Sequence, residues 1–293
     1  MAGQSLVTEI EGRQLTMTNL DKVLYPDGTT KGQVIDYYVR IAPVMLPHLA
    51  GRNITMKRYP NGIDGQSFYN KNVPSHAPNW IERVELHDNT YIVCRDLPTL
   101  VWMANLAALE LHVPMHRAAD DSWDPDRIVF DLDPGPGTGI AECCDVALII
   151  AAVLEPLGMC LHAKTSGSKG MQLYATPPMP LPYGGAGGAT ELAKRLAEGL
   201  ALSHPDQIVA KQAKELRPDK VLIDWSQNVS AKTTVCAYSL RARPDATVST
   251  PITWDEVRAG AERQPLRFTA PQVLERAAEL GDLFGPPRPS PHA

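Results

Sequence analysis

The sequence predicts an α/β (α+β) protein, with antiparallel and mixed strands under helices. Three observations carry that reading. Short apolar, β-favouring runs recur at 53–59, 128–130, 161–164, 171–175 and 221–224. Between them lie stretches with apolar residues at helical spacing, the clearest at 30–41, 99–111 and 190–202. The strand, helix, strand order across 128–164 is that of an α/β crossover.

In chain order, residues 1–16 have weak periodicity and read as a short strand or an arm. Pro26-Asp27-Gly28 has turn chemistry, and Thr30 caps the next helix with Gln33 as its capping-box partner. That helix carries Val34, Tyr37, Tyr38 and Ile41 at helical spacing. Lys22 and Lys31 flank its N-terminus, where a phosphate is favoured; two solvated lysines are the plainer alternative. The 53–59 strand carries Lys57 and Arg58 into a Pro-Asn-Gly turn, and Phe68-Tyr69 follows. Basic residues beside aromatics suit phosphates and bases, although an aromatic pair is more often core. The 99–111 stretch reads as an amphipathic helix, with His112 as a cap or dipole partner at its C-terminal end.

The stretch 127–137, Arg-Ile-Val-Phe-Asp-Leu-Asp-Pro-Gly-Pro-Gly, is the centre of the reading. Ile128, Val129 and Phe130 predict a buried strand, and the Pro/Gly run ends it abruptly. A strand puts Asp131 and Asp133 on one face, about 6.6 Å apart along the chain. Two acids on one face repel unless a cation or a proton intervenes. A divalent-metal site and a strand end with two solvated acids both fit this pattern.

Thr138 then opens an apolar helix that runs to about 157 and stops at Gly158. A short strand at 161–164, the polar loop Thr165-Ser-Gly-Ser-Lys-Gly170 and a return strand at 171–175 follow. Glycines, hydroxyls and a lysine in one turn can cradle phosphate, but this is not a Walker P-loop. A Pro/Gly-rich loop at 177–188, a helix at 190–202 and a basic loop at 211–220 lead to Val221-Leu-Ile-Asp224, a second apolar strand ending in a carboxylate. Helices near 254–260 and 269–280 and a Pro-rich tail at 285–293 complete the chain, which reads as one domain over 1–284.

Composition narrows the setting. The chain's 293 residues, 44% hydrophobic and 21% charged, suit an ordinary globular protein. No apolar run reaches a membrane span, and no signal peptide is evident, so no membrane partner is expected. Five cysteines without a Cys-x-x-Cys argue against a disulfide framework or zinc ribbon and for a reducing cytoplasm. The formal net charge of −5 leaves nucleic acid to be held by local patches only. Three strand-end carboxylates, with a Ser/Gly/Lys loop between them in sequence, point to phosphate chemistry with magnesium or manganese.

Asp131-Leu-Asp-Pro-Gly, Thr165-Ser-Gly-Ser-Lys-Gly and Val221-Leu-Ile-Asp-Trp-Ser-Gln-Asn, in this order, resemble the polymerase domain of bacterial ATP-dependent DNA ligase D, within the archaeo-eukaryotic primase superfamily. The resemblance runs from Leu15 to Arg241 and takes in Lys57-Arg-Tyr-Pro-Asn-Gly and Ala108-Leu-Glu-Leu-His-Val-Pro. It implies a primase-polymerase core with an RRM-like catalytic module and outer helices. It further implies Asp131, Asp133 and Asp224 as catalytic ligands of Mn2+ or Mg2+. Ser166 and Lys169 would hold a triphosphate, with Arg241 helping. Lys57, His112 and Gln227 would contact the nucleotide, whose 2′-hydroxyl the family tolerates or prefers. Phe68 and Tyr69 would stack on bases, Lys22 and Lys31 would receive a recessed 5′-phosphate, and Arg217 would lie near the metals and the primer end. The implied activity is addition of NTPs or dNTPs to DNA ends in gap filling and end joining, often alongside Ku. One position departs: Gln172 stands where the superfamily often has His, and it cannot carry a proton charge.

Two alternatives have a basis in the residues. Val-Phe-Asp-Leu-Asp also resembles the nucleophile strand of haloacid-dehalogenase-type phosphatases, but Gly135 stands where Thr or Val usually does. A catalytically idle DNA-end or Ku-binding module has no use for three acids beside a polyanion. The chain contains no Lys-x-Asp-Gly, so sealing is expected from a separate DNA ligase.

Overall fold

A computed structural model describes residues 5–86, 88–117, 124–179 and 181–285; of the tail expected at 285–293, residues 286–293 lie outside these. The first strands are β1 (Ser5–Ile10) and β2 (Arg13–Thr18), an antiparallel hairpin where the sequence promised only a strand or an arm. α1 (Lys31–Leu49) begins as its pattern predicts: Thr30 Oγ1 accepts from Gln33 N and Gln33 Oε1 accepts from Thr30 N. β3 (Asn53–Arg58), β4 (Phe68–Asn70), β5 (Arg83–Leu86), β6 (Asn89–Val93), α2 (Leu97–Asn105) and β7 (Ala108–Val113) follow.

The helix expected over 99–111 is therefore two elements, and His112 lies in a strand rather than at a helix end. Leu106 and Ala107 form the turn between them, with Ala107 in the left-handed region at φ 57°. Beyond it Leu109, Leu111 and Val113 alternate with Glu110 and His112, the period of a strand.

The rest of the chain is β8 (Ile128–Pro134), α3 (Ile140–Leu154), β9 (Cys160–Thr165), β10 (Met171–Thr176), α4 (Ala189–Ser203), β11 (Ile208–Val209), β12 (Val221–Asp224), β13 (Thr234–Val235), β14 (Pro251–Ile252), α5 (Trp254–Ala261) and α6 (Ala270–Leu280). The apolar helix expected to reach 157 passes at Glu155-Pro156 into a single 3-10 turn and stops at Gly158.

Two six-stranded sheets carry the site. One contains β5, β6, β3, β7 and β13, with β4 on the edge of β3. The other has the order β11-β12-β8-β10-β9-β14, all antiparallel except β11 against β12. Its four central strands and the helices α3 and α4 form a split β-α-β arrangement, the RRM-like module expected. The alternation along β8 explains its placement. Ile128, Phe130 and Leu132 pack with Leu173 and Ile223 in the core shared with α3, α4 and α5. Val129 faces the other way and joins Tyr174 in the core of the first sheet and α1. Asp131 and Asp133 share that second face.

Candidate active site

Strand register assembles the acids. Asp224 of β12 pairs with Asp131 of β8, Asp131 with Gln172 of β10, and Gln172 with Lys164 of β9. Four side chains thus form one row across four strands, each neighbour about 5 Å from the next at Cβ. Asp133 stands two residues along β8 on the same face. Burial, and then the charge of Asp133, raise the Asp131 carboxyl above its ordinary range, while a hydrogen bond from the Gln172 side chain draws it down. Asp133 is raised by partial burial and by Asp224, with Arg217 acting against the shift.

Asp224 is differently placed. It is buried and caps the 3-10 turn Trp225–Asn228: its Oδ1 accepts from Ser226 N (3.0 Å) and Ser226 Oγ (2.6 Å), and its Oδ2 from Gln227 Nε2 (2.9 Å). Gln227, implied as a nucleotide contact, is thus bonded to Asp224. Among the described residues no three His, Cys, Asp or Glu side chains already converge on one point as a metal cage. The donor chemistry nonetheless fits a divalent ion. All the donors are carboxylate oxygens, and Asp131 and Asp133, raised by burial and by neighbouring acids, gain from a cation.

The turn after β8 is shaped by a close approach. A Cβ on Gly135 would sit 1.9 Å from the Arg217 carbonyl oxygen, and Gly135 N donates to Lys220 O at 2.9 Å. This contact carries the basic 211–220 loop to the acids, and Gln212 holds Arg217 Nη2 through its carbonyl (2.6 Å) and Oε1 (2.8 Å).

The polar loop between β9 and β10 is pinned to the 241–247 segment. Gly167 has φ +66°, and an added Cβ there would meet Val248 O at 2.6 Å. Thr247 Oγ1 donates to Gly167 O at 2.5 Å, Arg241 donates to the Ser166 carbonyl, and Arg243 donates to Ser168 Oγ. Lys169 at the tip is exposed.

The opposite sheet supplies the other wall. Lys57 of β3 pairs with Tyr69 of β4 and Glu110 of β7, and Thr55 pairs with His112. Lys57 Nζ lies 5.1 Å from the Tyr69 ring centroid, and the His112 ring lies 6.1 Å from it, edge-on. The pleat sends Phe68 to the other side, so the two aromatics do not act as one platform. Glu110, which the sequence reading overlooked, is the hub. Its Oε2 accepts from His112 Nε2 (3.0 Å), and its Oε1 accepts from Ala242 N (3.1 Å) and lies 3.3 Å from Arg241 Nε. These partners outweigh its burial and hold it down at about 2.

A cleft of about 450 Å³ results, lined by His112, Asp131, Asp133, Ser166, Lys169, Gln227 and Arg241 among others. Lys57 and Tyr69 adjoin it through His112. Lys22 and Lys31 lie elsewhere. Lys22 is exposed and its Nζ donates to Asn61 Oδ1 (2.9 Å). Lys31 is not a surface lysine: it is 5% exposed, and its Nζ donates to Thr18 O (2.5 Å). Burial, with Lys22 and Arg58 nearby, pushes it down to about 8.

Comparison with known proteins accords with this arrangement. Residues 30–284 match the family described as LigD, primase-polymerase domain. The chain is 45% identical over 279 residues to the multifunctional non-homologous end joining protein LigD of Mycolicibacterium smegmatis, covering 93% of this chain and 36% of that protein. It is 32% identical over 273 residues to the bifunctional LigD of Bacillus subtilis, covering 92% of this chain and 44% of that one. The chain therefore spans well under half the length of these relatives. Among solved structures, the polymerase domain of Mycobacterium tuberculosis Ligase D in complex with DNA superposes with a TM-score of 0.86 at 41% identity, covering 92% of this chain and 96% of that one. The chain belongs to the family of LigD primase-polymerase domains.

Proposed function

We propose that the chain adds nucleotides to DNA 3′ ends at gaps and breaks. The observation that carries this reading is the cleft that Asp131 and Asp133 share with the Ser166–Gly170 loop, Arg241 and, from the other sheet, His112. Ser166, Lys169 and Arg241 hold the triphosphate, with charge-assisted hydrogen bonds to its oxygens. Lys57, His112 and Gln227 line the nucleotide, and Tyr69 offers a ring for stacking. Asp131, Asp133 and Asp224 would hold two Mn2+ or Mg2+ ions, which would neutralise the acids and stabilise charge on the transferring phosphoryl group.

The substrate side of the proposal comprises gapped or broken DNA with a 5′-phosphate, and NTPs used at least as readily as dNTPs. Lys22, exposed just before the N-terminus of α1, supports an anion site there. Ku and a DNA ligase are the proposed partners in end joining, in the cytoplasm at the nucleoid. Among the described residues no helix is long and apolar enough to cross a membrane.

The test is primer extension on a gapped duplex in Mn2+ and in Mg2+. Extension that stops on chelation is expected; a protein that binds the duplex but extends it in neither metal would overturn the proposal.

A further inference from the structure

We propose that Lys164 and Gln172 are positioning residues for Asp131: the buried lysine fixes the direction of the Gln172 amide, and that amide fixes the Asp131 carboxylate on the floor of the cleft. The inference rests on the reading of Asp131 as a metal ligand, and it concerns residues to which that reading gives no role.

The hydrogen-bond sense of the network is determined by its chemistry. Lys164 is 0% exposed, so water cannot complete its bonding, while Gln172, 4% exposed, lines the cleft. Lys164 Nζ lies 2.5 Å from Gln172 Oε1 and 2.6 Å from Ser249 Oγ. The Ser249 hydroxyl donates to Thr165 O at 3.2 Å, so towards Lys164 it accepts. An ammonium has donors only, so the Gln172 oxygen must face Lys164. The Tyr174 hydroxyl adds a second donor to that same oxygen at 3.4 Å. The Gln172 NH2 group is left for the side of its other cross-strand neighbour, Asp131, which pairs with it in register.

Lys164 itself needs an explanation. An ammonium buried without a counter-ion is costly. Among the described residues it makes no direct ion pair; its contacts are Gln172, Ser249 and the face of Tyr174 at 5.7 Å. Burial pushes it down to about 7, and the charge of Asp131 is among the influences that oppose this. The acid cluster one residue beyond Gln172 is thus its electrostatic partner, reached through the amide. Gln172 suits this task because its two ends are chemically distinct: one accepts from the cation and the other donates to the acid.

The experiment is Mn2+ binding to the full chain without DNA or nucleotide, followed by electron paramagnetic resonance of the free ion. Asp131→Asn tests the underlying reading and should remove the site. Gln172→Leu should weaken binding about tenfold, the worth of one hydrogen bond to a charged group. Gln172→His, which restores a ring N–H donor, should recover most of that loss, which repair of packing alone would not do. Lys164→Met should weaken binding in the same direction, and combined with Gln172→Leu it should add little. If Asp131→Asn binds Mn2+ like the wild type, the metal reading fails and the inference with it. If Asp131→Asn fails to bind but Gln172→Leu binds normally, only the positioning inference is overturned. Equal loss in Gln172→Leu and Gln172→His also overturns it. Should Lys164→Met not fold, the two Gln172 variants decide the matter.

Discussion

Glu110→Gln is the perturbation whose magnitude the structure sets most directly. The carboxylate is 3% exposed, receives His112 and Ala242 N, and pairs with Arg241. Its partners hold the carboxyl at about 2 against an ordinary 4.5, which corresponds to about 3 kcal/mol of folding stability. Because the folded value is the lower one, that stability is fully present above 4.5 and is lost as pH falls through 2. Urea unfolding of wild type and Glu110→Gln should therefore differ by about 3 kcal/mol at pH 7, and the gap should shrink to about half near pH 3. The variant should also bind NTP more weakly, because His112 and Arg241 lose the group that aims them. A stability gap that stays constant from pH 7 to pH 3 would show that Glu110 matters by shape rather than by charge, and would refute the hub.

Further outcomes can be measured on the same protein. Lys22→Ala should weaken binding to gaps with a downstream 5′-phosphate about tenfold and leave 5′-hydroxyl gaps little changed, in titrations at two salt concentrations. Lys31→Ala should instead lower the thermal unfolding midpoint, because its ammonium is spent on Thr18; equal behaviour of the two lysine variants would contradict this division. Tyr69→Ala should raise the nucleotide KM several-fold more than Phe68→Ala, since only Tyr69 stands with Lys57 and His112. With both sugars present at equal concentration, ribonucleotides should enter at least as readily as deoxyribonucleotides, and a strong deoxy preference in the sequenced products would count against the site assignment.

Local signals were legible in the sequence. Thr30 and Gln33 announced the start of α1, and apolar runs announced β8 and β12 with their terminal acids. What failed was what depends on distant partners. At 99–111 the helical spacing of Leu100, Met103 and Ala107 runs into the alternation of Leu109, Leu111 and Val113 with no Gly or Pro between them. A short apolar run is ambiguous between helix and strand by period alone. Misreading that stretch hid Glu110, since only a strand aims it at the same face as His112. Lys31 looked like a surface lysine because the docking of β2, which buries it on Thr18, leaves no mark near residue 31. The row from Lys164 to Asp224 depends on cross-strand register, which two short strands and a tight turn only partly specify. The 161–164 run read simply as a strand, and nothing in the sequence singled out its last residue, Lys164.

The central claim is that Asp131 and Asp224, brought opposite one another by register, are the acids of a nucleotidyl-transfer site. Its most direct test is extension of a primed, gapped template in Mn2+ by wild type, Asp131→Ala and Asp224→Ala, with binding to the same duplex measured alongside. Both variants should lose extension while retaining DNA affinity. Near-normal synthesis by either variant would contradict the account.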